Sequence, residues 1–164
     1  MSEAGAAHVL ASVRVALGEE LPAEERLRRV CQILADGLEG YDWVGFYLVD
    51  PRTGRDLVLG PYVGAPTEHT RIPFGAGICG QAAEALETFV VRDVSAEENY
   101  LACSLEVRSE IVVPVFHEGR LVGELDIDSH QLARFGGEDQ RIVEEVASLA
   151  GPACATAVAE GHAA

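Results

Sequence analysis

Apolar residues near the start of the chain recur every three to four positions, the spacing of one helix face. Residues 4–17 form an alanine- and valine-rich segment that predicts a first helix. A second opens near Pro22 and carries Leu27, Val30, Cys31, Leu34 and Leu38 on one stripe. The period then falls to two. In WVGFYLV, residues 43–49, Trp43, Gly45 and Tyr47 share one strand face, and Val44, Phe46 and Leu48 share the other. The turn DPRTGRD leads into DLVLGPYVG, which predicts a hairpin. RIPFGAGICGQAAEAL reads as a glycine-rich loop feeding a helix, and TFVV as a short strand. A polar loop, 92–109, precedes a second hairpin, IVVPVF and LVGELDIDS, joined by HEGR. A last helix begins near Gly137 or Glu138 with Ile142, Val143, Val146, Leu149 and Ala150 facing inward, and Pro152 is expected to end or kink it.

Short turns between neighbouring strands imply a mainly antiparallel sheet, and the flanking helices imply that one face is covered. The prediction is an α+β fold in one domain, with its core over about 22–150 and a ligand side on the other face of the sheet.

Composition narrows the function classes. The 164 residues are 48% hydrophobic, enough for a sizeable core. A net charge of -15 disfavours phosphate backbones and anionic membranes, so neither nucleic acid nor membrane is an expected partner. No uninterrupted apolar run approaches the roughly 20 residues of a membrane span, and the N-terminus lacks the pattern of a secretory signal, so a cytoplasmic location is the default expectation. All 12 basic residues are arginine, which excludes a Schiff-base lysine and a phosphate-loop lysine. The 4 cysteines are too irregularly spaced for a disulfide scaffold or a CxxC metal site.

Candidate chemistry centres on thiols and acids. GAGICG fits GxGxxG, but no βαβ unit surrounds it and the acid beyond its helix, Asp93, is too close for a dinucleotide site. Its glycines more simply build a tight turn that faces backbone N–H groups into a pocket. Cys79 at the head of the following helix has two readings, a dipole-stabilised thiolate or a small residue packed under the turn. Cys103, in LACSLEVRSEIVVP, stands in a polar loop where burial is not expected, which favours a functional thiol. Cys31 and Cys154 read as packing residues. On LVGELDIDS, alternation puts Leu121, Gly123, Leu125 and Ile127 on one face and Val122, Glu124, Asp126 and Asp128 on the other. Such an acidic face is usually a wetted one. The alternative is a cation cluster, for a metal or a substrate ammonium, that Glu110 joins from the neighbouring strand. His117 and His130 lack ligand-like spacing, so no metal site is expected.

Taken together, YDWVGFYLVD, LVLGPYVG, RIPFGAGICGQAA, LACSLEVRSEIVVP and GELDIDS, followed by FGGEDQRIVEEVA, resemble the free methionine-(R)-sulfoxide reductases, a stand-alone GAF-domain family. The resemblance spans about residues 27–150. It implies a roughly six-stranded antiparallel sheet backed by N- and C-terminal helices, a homodimer, and a pocket for a free amino acid. It also implies thiol-based sulfoxide reduction with thioredoxin as external reductant and no bound cofactor. Carried over by motif, Cys103 is the nucleophile and Cys79 the resolving thiol. Glu110, Asp126 and Asp128 are substrate-binding acids, and Trp43 and Tyr47 are pocket aromatics. Two positions depart from the family. His69 stands where members with the full set carry a third cysteine, and Ser104 follows Cys103 where many have aspartate. The alternative readings are a non-catalytic GAF module that binds a small molecule or senses redox state, and an iron- or other metal-binding GAF domain that would use the acids and His69.

Overall fold

The computed structural model describes residues 2–98, 100 and 106–161. Helix α1, Glu3–Leu17, opens at Ser2, whose hydroxyl accepts the Gly5 N–H at 3.0 Å. Helix α2, Ala23–Gly37, follows Pro22 and places Glu24 and Glu25 in its first turn, where the helix dipole favours them. Six strands follow: β1 Trp43–Val49, β2 Asp56–Val63, β3 Arg71–Pro73, β4 Phe89–Val91, β5 Ser109–His117 and β6 Arg120–Ser129. Helix α3, Gly77–Ala85, lies between β3 and β4, and α4, Gly137–Ala159, closes the order. The strands form one antiparallel sheet, as the hairpin pattern predicts, in the order β3-β2-β1-β6-β5-β4 with β1 paired to β6 between the two hairpins.

Helices α1, α2 and α4 cover one face. Val44, Phe46 and Leu48 of β1 meet Ile111, Val113 and Val115 of β5 and Leu125 and Ile127 of β6 there, packed against Val13, Leu27, Leu34, Val143 and Val146. Each such fully buried apolar side chain stabilises the fold by about 1.5–3 kcal/mol. The opposite face carries a smaller cluster that includes Trp43, Tyr47, Ile72, Ile78, Cys79 and Val112. Segment 72–83 thus lies over the sheet, which leaves six of the seven β1 residues buried.

Three expectations need correction. Arg71–Pro73 is a strand, not part of the loop, paired with β2 through Leu57 and Ile72. Pro152 does not end α4. The helix continues through buried Ala153, Cys154 and Ala157, and Gly151 lies so close to the Phe116 carbonyl that a Cβ there would collide with it. Leu121 and Val122 exchange faces, because an irregularity in the β5–β6 ladder places Phe116 opposite Leu121 but Val115 opposite Gly123. Helix α4 alone among the described helices is long and apolar enough by composition to span a membrane, although charged residues interrupt its apolar run. Ten of its residues pack into the domain, including Ile142, Val143 and Ala150.

Candidate functional site

Strand register assembles the candidate residues on the face opposite the long helices. Trp43, Asp128 and Glu110 lie side by side across β1, β6 and β5. Gly45, Asp126 and Val112 form the next row, and Tyr47, Glu124 and Pro114 the third. The alternation in WVGFYLV and ELDID therefore predicts which side chains share a face. It does not predict their burial. Glu110 is 3% exposed and Glu124, Asp126 and Asp128 are 0% exposed, so the wetted-face reading is wrong.

Helix α3 brings the thiol. Gly75 and Gly77 adopt φ of 91° and 63°, a left-handed region that suits glycine, and the chain turns there from β3 into α3. Cys79 is the third residue of that helix, and its Sγ lies 4.0 Å from Glu110 Oε2. The Cys79 sulfur and one carboxylate oxygen from each of Glu110 and Asp126 all lie within 4.8 Å of one another. These three side chains, with Tyr47, His69 and Ile78, line a cavity with about 10 Å³ of space for a water-sized guest. Cys79 is buried, as the packing reading expects, and its thiol faces the Glu110 and Asp126 carboxyls. Cys103 and Ser104 lie outside the described residues.

The aromatic wall is fixed by hydrogen bonds. The Tyr47 hydroxyl donates to the His69 carbonyl at 3.0 Å, and the Trp43 indole N–H donates to the Ala65 carbonyl at 3.0 Å. The Trp43 ring stacks on Tyr62, with centroids 5.3 Å apart, and more loosely on Tyr47 at 6.4 Å. Tyr62 was not singled out by sequence reasoning, although it falls opposite Gly45 in the β1–β2 ladder. The Trp43 ring lies over Gly45, where a Cβ would overlap it and would meet Tyr62 Cβ at 2.8 Å. Gly45→Ala is therefore expected to cost about 1–3 kcal/mol by overpacking and to shift the emission of the single tryptophan. Unchanged emission would show that the ring does not depend on that gap.

Burial sets the electrostatics. It pushes the Glu124 carboxyl well above its ordinary value of 4.5, and the neighbouring Asp126 charge adds to the rise. Burial also raises Asp126, while contacts with Glu110 and Cys79 act the other way. Burial likewise drives the Cys31 and Cys154 thiols far up, leaving both in the inert thiol form that suits their packing role. A carboxyl that holds its proton more tightly when folded gives the native chain more bound protons than the unfolded chain. The contribution of Glu124 and Asp126 to stability is then fully present below the ordinary carboxyl range and is lost as pH rises toward the raised folded values. Thermal melts in chelator between about pH 4 and 8 should show that fall, and Glu124→Gln should flatten it. A variant slope equal to that of the wild type would contradict the assignment.

Comparison with known proteins places this geometry. The GAF domain family pattern matches residues 20–155. The chain is 42% identical over 107 residues to GAF domain-containing protein A of Dictyostelium discoideum, covering 65% of this chain and 66% of that one. It is 37% identical over 114 residues to the free methionine-R-sulfoxide reductase of Saccharomyces cerevisiae, covering 69% and 63%. The chain thus spans just under two thirds of the length of each of these relatives. The crystal structure of the free methionine-R-sulfoxide reductase from Neisseria meningitidis in complex with its substrate superposes with a TM-score of 0.87. It is 38% identical, covering 98% of this chain and 95% of that one. With six antiparallel strands, a helix-covered face and an acid-lined pocket on the other, the chain belongs to the GAF-domain family, within the group that contains the free methionine-(R)-sulfoxide reductases.

Proposed function

We propose that the protein reduces free L-methionine-(R)-sulfoxide to methionine by thiol chemistry. The observation that carries the proposal is the convergence of Cys79, Glu110 and Asp126 on one cavity beside the Trp43–Tyr47 wall. A thiol, a set of buried acids and an apolar surface are what a zwitterionic, methyl-bearing sulfoxide needs.

In this reading one buried acid of the Asp126, Asp128 and Glu110 set takes the substrate ammonium, and Trp43 receives the methyl group. The Cys103 thiolate attacks the sulfoxide sulfur. The sulfur–oxygen bond breaks, with Glu110 or Asp128 protonating the oxygen. Close carboxyls favour a shared proton, because adjacent like charges resist ionising together. The products are methionine and a sulfenic acid on Cys103. Cys79 condenses with that sulfenic acid to give a disulfide and water. Thioredoxin then reopens the disulfide by thiol exchange, returning both cysteines to thiols. No bound cofactor takes part. The enzyme acts as a cytoplasmic homodimer in this reading. The cavity is far smaller than methionine sulfoxide, so the wall parts to admit it.

A second reading, a non-catalytic small-molecule or redox-sensing module, is favoured by His69 at the third-cysteine position. Coupled oxidation of NADPH through thioredoxin reductase and thioredoxin separates the two. The reductase reading expects turnover with the free (R)-sulfoxide and none with the (S)-epimer. Folded, fully reduced protein that turns over neither epimer leaves the binding module.

A further inference from the structure

The cluster that faces the cavity mixes one sulfur with two carboxylate oxygens, a donor set that can hold a metal ion as well as serve the reduction chemistry. Cys79 Sγ and Glu110 Oε2 are 4.0 Å apart, and Asp126 completes a triangle no wider than 4.8 Å. A tetrahedral zinc ion holds its sulfur and oxygen ligands about 3.5 Å apart, so side-chain shifts of about 1 Å close the site without moving the backbone. The residues sit on three separate elements, α3, β5 and β6, that the sheet and its packing hold together.

A second observation points to a ligand here. Asp126 is 0% exposed and lines the cavity; no hydrogen bond of ordinary geometry reaches either of its oxygens, and the polar groups that face them are the Glu110 carboxyl and the Cys79 thiol. A buried carboxylate in that condition is costly unless a proton or a cation compensates it. The cavity offers about 10 Å³, the space of one ion or one water. Thiolate with carboxylates suits zinc and its borderline neighbours better than magnesium or calcium, which take all-oxygen shells.

We propose that Cys79, Glu110 and Asp126 form a divalent-cation site of zinc type, with its fourth position open to the cavity, and that the ion and the amino-acid substrate exclude each other. Binding expels the protons held by the donor groups and ties up the Cys79 thiolate. The bound ion therefore shields that thiol from oxidation and switches the site off. The exclusion rests on the substrate reading given above; the cation site itself does not.

Cobalt is the probe, because a cobalt–thiolate bond gives a sulfur-to-metal charge-transfer band in the near ultraviolet. The reduced full chain, without substrate, is titrated with Co²⁺ and then with Zn²⁺. One equivalent of cobalt should produce the band, and zinc should abolish it. Cys79→Ser should remove the band, and Asp126→Asn should weaken cobalt binding by about 100-fold or more. Cys103→Ser should leave it intact. Thermal melts of each variant establish that it is folded. No band in the wild type, or a band that survives in Cys79→Ser, overturns the site. Free L-methionine-(R)-sulfoxide should raise the apparent dissociation constant for cobalt, and an unchanged constant overturns the exclusion. A protein that turns over sulfoxide but binds no cobalt defeats this inference alone. One that binds cobalt but never turns over defeats the reductase reading alone.

Discussion

Cys103→Ser is expected to lower turnover of free methionine-(R)-sulfoxide by about 10³-fold or more, because the hydroxyl that replaces the thiol is a far weaker nucleophile and cannot carry the oxygen as a sulfenic acid. Cys79→Ser should behave differently. With Cys103 intact, the first oxygen transfer proceeds, one methionine leaves per chain, and the reaction stops at the sulfenic acid for want of a resolving thiol. Rapid quench of each variant, with methionine counted per chain, checks this directly. A Cys79→Ser variant that releases no methionine, beside a Cys103→Ser variant that releases one equivalent, would reverse the two roles. The assignment of Cys103 rests on its place in the A-C motif and in a polar loop, since that residue lies outside the described part of the chain. Cys79 has the added support of its position against Glu110 and Asp126.

Asp126→Asn carries the second large effect. In the proposed complex Asp126 is a buried carboxylate that helps to pair the substrate ammonium. Removing one partner of a buried charge pair costs about 3–5 kcal/mol, so kcat/KM should fall by roughly 150- to 5,000-fold. In the substrate-free chain the same substitution relieves a burden, since an amide is cheaper to bury than a carboxylate whose oxygens have no hydrogen-bond partner. Thermal stability in chelator should therefore hold or rise while activity collapses. Opposite movements of stability and activity mark a group kept for binding. If both fall together, Asp126 is part of the scaffold and the site has been misread.

The parts of this picture that were legible in the sequence are those set by local periodicity. The faces of β1 followed from the alternation in WVGFYLV, and so did the row of Glu124, Asp126 and Asp128 on β6. The burial of that row did not follow. It depends on Ile72 and Ile78, which arrive over the sheet from β3 and α3, far along the chain from β6. An acidic face looks the same in sequence whether water or another segment covers it. The exchange of Leu121 and Val122 was equally hidden, because an irregular ladder arises between strands and leaves no mark in either one alone. Strand β3 was too short to show a period. Helix α4 overrode the expected break at Pro152 because Ala153, Cys154 and Ala157 are buried in the helix-side core, and that packing outweighs one lost backbone hydrogen bond. The thiol and acid candidates were recognisable as residue types, whereas the meeting of Cys79 with Glu110 is a tertiary fact.

The most direct test of the central claim needs no thioredoxin. Fully reduced wild-type protein, freed of small-molecule thiols and metal, is mixed with a small excess of free L-methionine-(R)-sulfoxide, and released methionine and remaining thiols are counted. The account predicts one methionine per chain, the loss of two thiols, and a disulfide between Cys79 and Cys103 in the peptide map, with no reaction from the (S)-epimer. Folded protein that releases no methionine and keeps all its thiols would contradict it.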